Sequence, residues 1–422
     1  MELFQVDRLQ AGWPQSVSFV VNFSAGLLVS GLQRHVSLSG IALLGSLLAW
    51  TGPIGASFAQ NISVVTLCMG FIHGLGCGVF FVAISVSLMM YFDRYRGITN
   101  GIKNLGGTAA SVVFPNLILL VQGFYGFRAC LLLYGALAMH LTALGMLTKE
   151  PPWSRTIIVS SSSSSHTHSR EADLDTEEHK KRLNDANAEG SSSSEMAKVN
   201  NKERTARHLS LDLRRLFKMP VFYVIVVSGV LGYYTQSIFF ATIVDFAKDK
   251  GFSLTESANV MLYFGVTETV GRLCLPFAAD RGLLRRSTLM ALSFTAMAAS
   301  MVLLERGATL LALTAGASLF AAFFGAAVTV EGVVISDYLG VESLSFVFGF
   351  TGAVSVPFFF GNPFVLGFFR DYVGSYDHLY KMLASLYFLI AVMWAPILWN
   401  DRYRASPSRT SDSETPEEMI AY

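Results

Sequence analysis

The chain has 422 residues, of which 52% are hydrophobic and only 14% charged, with 33 phenylalanines. One soluble core cannot hide that much apolar side chain from water, so the composition excludes an ordinary soluble domain and requires lipid as a partner. A formal net charge of +1 leaves no electrostatic case for nucleic acid or any other polyanion.

No short basic segment leads into an apolar run and a small-residue cleavage site, so the first span is expected to stay in the mature protein. Apolar runs of about 20 residues predict spans near 13–32, 37–58, 62–91, 97–121 and 127–148. Six more follow a polar stretch, near 219–243, 255–279, 287–304, 308–336, 343–369 and 377–400. The expectation is an all-α, multi-pass protein of about eleven membrane helices: residues 1–148 a bundle of five, 149–218 a linker, 219–400 a bundle of six, and 401–422 a tail. Connections as short as Gln33 to Val36 make neighbouring helices antiparallel.

The four cysteines, Cys68, Cys77, Cys130 and Cys274, fall inside apolar runs. They read as small buried hydrophobes rather than a disulfide framework or a metal cluster, and no cofactor is expected. The linker, with serine runs at 160–165 and 191–194, is too polar to offset the entropy of ordering and is expected to be disordered. His166 and His168 lack a third ligand at metal spacing, so a solvated pair is favoured over a site. Arg207 before Ser210 offers a short phosphorylation pattern, and Leu209, Leu211, Leu213, Leu216 and Phe217 alternate with basic residues as in a surface-lying amphipathic segment.

Lysine and arginine in the linker flanks, including Arg204, Arg207, Arg214, Arg215 and Lys218, place the linker and the C-terminal tail in the cytoplasm and the N-terminus outside. The sequon at Asn61 then faces outward but has almost no loop around it, which disfavours glycosylation.

Two pairs of loops repeat with a step of six spans. Gly31–His35 matches Ala279–Arg286, and Tyr91–Gly97 matches Asp337–Glu342. In that register the sixth span has no partner in the first half, so a six-plus-six design without its first helix is the expectation.

Several local motifs then resemble the monocarboxylate transporters of the major facilitator superfamily. Tyr91-Phe92, a basic cluster at Arg94 and Arg96, and Asn100-Gly101 resemble the signature opening that family's fifth helix. Asp245–Gly251 resembles the outer loop after its seventh helix, and Asp337–Gly340 with Gly361-Asn362-Pro363, Asp371 and Tyr376 resembles its tenth and eleventh helices. The family's acidic-glycine-aromatic motif entering the first helix has no place here, residues 2–15 resemble the loop that normally follows that helix, and Asn362 stands where proline is usual. The resemblance implies a major-facilitator-like two-bundle fold in the plasma membrane, a small organic anion as substrate, a proton as candidate co-substrate, and for some members an accessory single-span glycoprotein.

Independently of the resemblance, Glu268 and Arg272 share one face of the seventh span at i, i+4 spacing. A charge facing lipid costs at least ~2.5 to 3.5 kcal/mol, so that face is expected to look into the protein. Arg272 is the candidate anion ligand, because a planar guanidinium matches a carboxylate; Glu268 neutralises it when substrate is absent and is the candidate proton acceptor. The competing reading is a permanent ion pair that locks helices. The resemblance implies an acidic residue and an arginine at these positions, aspartate being more usual than glutamate.

Glu331, Asn22, Tyr233, Tyr234 and Gln236 complete the candidate substrate-binding set, each with interhelical hydrogen bonding as the alternative. His73 and His140 read as packing residues, while Lys103 and Arg128 are expected to snorkel to the two surfaces. Gly70, Gly74 and Gly78, four residues apart, predict close approach to a neighbouring helix. No phosphate-binding lysine motif and no Ser-His-Asp arrangement occurs, so neither an ATP-driven pump nor an enzyme is expected. The favoured function is alternating-access transport of a small monocarboxylate or related organic anion. The rivals are a facilitator for a neutral or aromatic solute and a truncated, non-transporting membrane protein.

Overall fold

The computed structural model describes residues 8–33, 35–92, 94–148 and 213–404. The readings of the linker up to residue 212, including His166, His168, Arg207 and Ser210, and of the tail beyond 404 lie outside the described residues.

Among the described residues, eleven long helices run antiparallel in sequence order. The first bundle holds α1 (Arg8–Leu32), α2 (Leu38–Ser57), α3 (Ile62–Tyr91), α4 (96–125) and α5 (127–147). The second holds α6 (Pro220–Asp249), α7 (Leu254–Asp280), α8 (Arg286–Arg306), α9 (Leu310–Leu339), α10 (Val341–Val373) and α11 (Asp377–Tyr403). Gly126, at φ 77°, turns the chain between α4 and α5, a conformation that costs glycine nothing. Residues 8–15, which resemble a loop in sequence, are helical from Arg8 onward.

Local chemistry sets the boundaries. Ser37 accepts from Gly40 N at the start of α2, Asn61 from Val64 N at α3, and Thr309 from Ala312 N at α9, each satisfying a backbone donor that the helix leaves free. The amide of the Asn61 sequon is thus engaged as a helix cap. Ser253 and Glu256 form a reciprocal capping box at α7.

Nine segments among the described residues are long and apolar enough to cross a membrane. Helix α7 is not one of them, because Glu268 and Arg272 interrupt its apolar run.

Lipid tails are as apolar as leucine, so helices associate through close packing and hydrogen bonds rather than by escaping water. Small residues mark the contacts. A Cβ at Gly70, Gly74 or Gly78 would meet Pro14, Ser18 or Asn22 of α1, so the glycine stripe of α3 is the face against α1. The bundles meet along two such seams. At the α1–α10 seam a Cβ on Gly349 would lie 2.1 Å from Leu27 N, and at the α4–α7 seam one on Gly101 would lie 2.4 Å from the Arg272 carbonyl.

The second bundle has an aromatic core. Phe239 packs on Phe320 with ring centres 4.4 Å apart, Phe246 stacks on Tyr380 at 4.2 Å, and buried Trp394 donates to Ser228 Oγ at 3.0 Å. Such rings combine large contact area with defined geometry, and the indole N–H finds its partner.

Candidate functional site

Helix α7 carries the charged pair to the centre of the molecule. Arg272 Nη2 donates to Glu268 Oε1 at 2.6 Å, and Glu268 is 7% exposed. Two glycines let neighbours reach this stretch: Gly101 of α4 abuts the Arg272 carbonyl, and Gly325 of α9 faces the Glu268 carbonyl and the Arg272 side chain. From α4, Asn100 Nδ2 donates to Thr329 O at 2.5 Å and Thr108 Oγ1 reaches Glu268 Oε2 at 3.5 Å. Side chains of one bundle therefore bond groups of the other around the pair. Arg272 Nε is buried with no hydrogen-bond partner, as is Asn100 Oδ1. An unpaired buried guanidinium N–H is costly, and a ligand carboxylate is the acceptor whose geometry it fits.

Glu331, on α9, accepts from Tyr233 OH at 2.7 Å. Both line a small cavity of about 40 Å³ inside the second bundle, beside Ser228, Phe294, Tyr387 and Trp394. Tyr233 also lines a larger cavity of about 370 Å³ between the bundles, with Phe19 and Phe23 of α1, Gln236 and Phe240 of α6, and Phe359, Phe360 and Asn362 of α10. That volume suits one small solute. Asn362 Nδ2 donates to Ser237 Oγ at 2.9 Å, while its buried Oδ1 has no partner.

The candidate residues thus fall into sets. Tyr233 and Gln236 line the cavity, and Glu268 and Arg272 sit deeper, toward the linker end of the helices, with Glu331 joined to the cavity wall through Tyr233. Tyr234 packs edge-on against Phe358, with ring centres 5.7 Å apart, and Asn22 lies against Gly78; both are outside the lining of the two cavities. His73 is a satisfied packing residue: its Nδ1 donates to Ala49 O at 2.6 Å and its Nε2 accepts from Tyr134 OH at 3.2 Å.

Lys103 corrects the expectation drawn from its position. It does not snorkel to the surface: its ammonium donates to Ser85 Oγ of α3 at 2.8 Å and sits 4.1 Å from the centre of the Phe81 ring. Arg128 reaches the α2–α3 loop, donating to Ala59 O at 3.1 Å.

At the linker end a second polar cluster ties the bundles together. Asp280, its side chain fully buried, accepts from Ile98 N at the start of α4 at 2.9 Å and from Arg286 Nη2 at 3.1 Å. Arg286 Nη1 also bonds Asp337 at 2.7 Å, and Arg96 of the first bundle bonds Asp337 from the other side at 3.3 Å. The two loops matched by the six-span repeat, at Arg96 and Asp337, therefore meet face to face. This end is latched, while the 370 Å³ cavity lies toward the opposite end.

Comparison with known proteins agrees with this architecture. The sequence profile of the Major Facilitator Superfamily matches residues 1–353. The chain is 26% identical to Monocarboxylate transporter 2 of Rattus norvegicus over 100% of its own length and 83% of the relative's. It is 26% identical to Monocarboxylate transporter 12 of Homo sapiens, covering 88% of this chain and 70% of that one. Among solved structures, the proton:xylose symporter XylE aligns with TM-score 0.71 at 11% identity over 94% of this chain and 87% of that one, and FucP in its outward conformation with 0.64 at 16% over 96% and 92%. The chain belongs to the Major Facilitator Superfamily of membrane transporters.

Proposed function

We propose that this transporter carries a small monocarboxylate or related organic anion, held by Arg272 between the two bundles, and that Glu268 accepts a proton when substrate displaces it. The observation that carries this reading is the Glu268–Arg272 pair beside the α4–α7 seam, with Arg272 Nε left without an acceptor. A carboxylate entering past Tyr233 gives the guanidinium a second, charge-assisted partner. Bringing one more negative charge to a buried, neutral pair costs free energy unless a proton comes with it, and the displaced Glu268 is the group placed to take that proton. The names of the relatives point the same way.

The linker-end latch around Asp280 and Asp337 and the cavity toward the other end suit one stage of alternating access, in which the latch opens as the cavity closes. In this reading the linker lies in the cytoplasm. Tags inserted at Asp185 and at the C-terminus are protected in intact cells under this orientation, whereas surface labelling of the tag at Asp185 contradicts it.

A second reading, a facilitator for a neutral or aromatic solute, draws on the ring-lined wall of Phe19, Phe23, Tyr233, Phe240, Phe359 and Phe360. Uptake into proteoliposomes separates the two. Labelled monocarboxylates accumulate in response to an inward proton gradient under the anion reading, and Glu268→Gln weakens or removes that response. Uptake indifferent to the gradient, with aromatic solutes outcompeting carboxylates, supports the facilitator.

A further inference from the structure

In the first bundle, Lys103 of α4 turns its ammonium toward α3. Its partners are the Ser85 hydroxyl and the face of the Phe81 ring, and no carboxylate lies within ion-pair distance of its ammonium among the described residues. A part-buried cation without a counter-charge is costly, and a hydroxyl with a ring face recovers only part of that cost.

Its position connects it to the anion site. Lys103 lies one turn beyond Asn100 on the same side of α4, and Asn100 bonds Thr329 two residues before Glu331. Counted from the linker-side ends of their helices, Lys103, Arg272 and Glu331 all lie roughly 10 to 12 Å deep. The charges that act on the Lys103 ammonium are those of Arg272 and Glu331.

We propose that Lys103 is the second cation of the anion site, so that a bound carboxylate is shared between Arg272 of the second bundle and Lys103 of the first. The inference rests on the Arg272 reading above and deepens it. Lys103, Arg272, Glu268 and Glu331 together carry no net charge when all are ionised, and only Arg272 and Glu268 form a direct pair. A monoanion between the two cations supplies Lys103 with the counter-charge the protein lacks. Because one cation belongs to each bundle, the anion also holds the bundles together across the seam, and its release weakens that hold. Ser85 keeps the ammonium in place when the site is empty of substrate: its hydroxyl is itself committed as a donor to Phe81 O at 2.6 Å and so presents a lone pair to Lys103.

The test is saturable uptake of labelled pyruvate by the reconstituted full chain. Lys103→Met, which keeps the stem and removes the charge, is expected to raise KM about tenfold or more, and Lys103→Arg to hold KM within about threefold of the parent. An unchanged KM in Lys103→Met, while Arg272→Ala abolishes uptake, overturns the role of Lys103 and leaves the Arg272 site standing. Unchanged uptake in Arg272→Ala removes the site itself. Where Lys103→Met does not assemble, Phe81→Leu combined with Ser85→Ala keeps the charge and removes its two protein partners. That double variant lowers KM if Lys103 grips the anion, because its partners no longer compete with substrate; an unaltered KM overturns the inference.

Discussion

The most apolar window of α9 is 72% buried and that of α8 61%, whereas the window shared by the end of α4 and α5 is 11% buried and that of α1 17%. The second bundle is organised around stacked rings and Trp394, each contact fixing an orientation. The first is organised around glycines and small side chains, with large apolar residues such as Leu120, Leu132 and Leu133 facing outward. Because lipid supplies no hydrophobic drive between helices, ring packing orders the centre of the second bundle, and its charges Glu268, Arg272 and Glu331 are set on those helices. The first bundle reaches them through a narrow glycine seam and a few polar side chains. A transporter that rocks two bodies around a site needs such an arrangement: ordered placement of the substrate's anchor, and an interface that slides.

Core substitution is expected to separate the two bundles most sharply. Trp394→Ala leaves a cavity and an unpaired Ser228, and is expected to cost about 3 kcal/mol, the low end of the aromatic-to-alanine range because lipid replaces water in part of the reference state. Leu133→Ala on the outer face of α5 is expected to cost less than about 0.5 kcal/mol. Thermal melts in the same detergent check both, and equal costs dissolve the distinction between the two bundles.

The latch comes next. Asp280→Ala strips the first turn of α4 of its acceptor and leaves Arg286 half-paired, a loss of about 2 to 3 kcal/mol concentrated at the linker end. Spin labels at Tyr95 and Leu284 are expected to report a longer, broader distance distribution in that variant. An unchanged distribution shows that the Asp337 bonds suffice to hold the end shut.

The finest contrast lies within α4. Gly101→Ala drives a methyl onto the Arg272 carbonyl and is expected to cost about 1 to 3 kcal/mol and to slow uptake. Gly106→Ala, five residues along and with nothing within 4 Å, is expected to be neutral or slightly stabilising, by up to about 1 kcal/mol, because alanine favours helix. Similar uptake by the two variants argues that the seam tolerates separation.

Much of the architecture is legible in the sequence, for a physical reason: a span must be long, apolar and internally hydrogen-bonded, so hydropathy alone locates α2 and α3 to within a residue. Helix α6, expected to end at 243, continues to Asp249 because polar turns extend past the apolar run without losing their backbone bonds. The Glu268–Arg272 pair is readable because both residues lie on one helix at i, i+4. Lys103 is not, since the ring and hydroxyl that hold it come from α3, and a linear pattern shows only a lysine near a span's edge. The Arg96–Asp337 bond, 241 residues apart, likewise appears in sequence only as two matching loops.

Pyruvate uptake by Arg272→Ala and Arg272→Lys decides whether Arg272 is the anion's anchor. Arg272→Ala is expected to reach the membrane and show no saturable uptake. Arg272→Lys is expected to recover only a small fraction of it, because an ammonium cannot reproduce the planar fork. Saturable uptake by Arg272→Ala with the parent KM would remove Arg272 from the site and leave the Glu268–Arg272 pair as a structural lock.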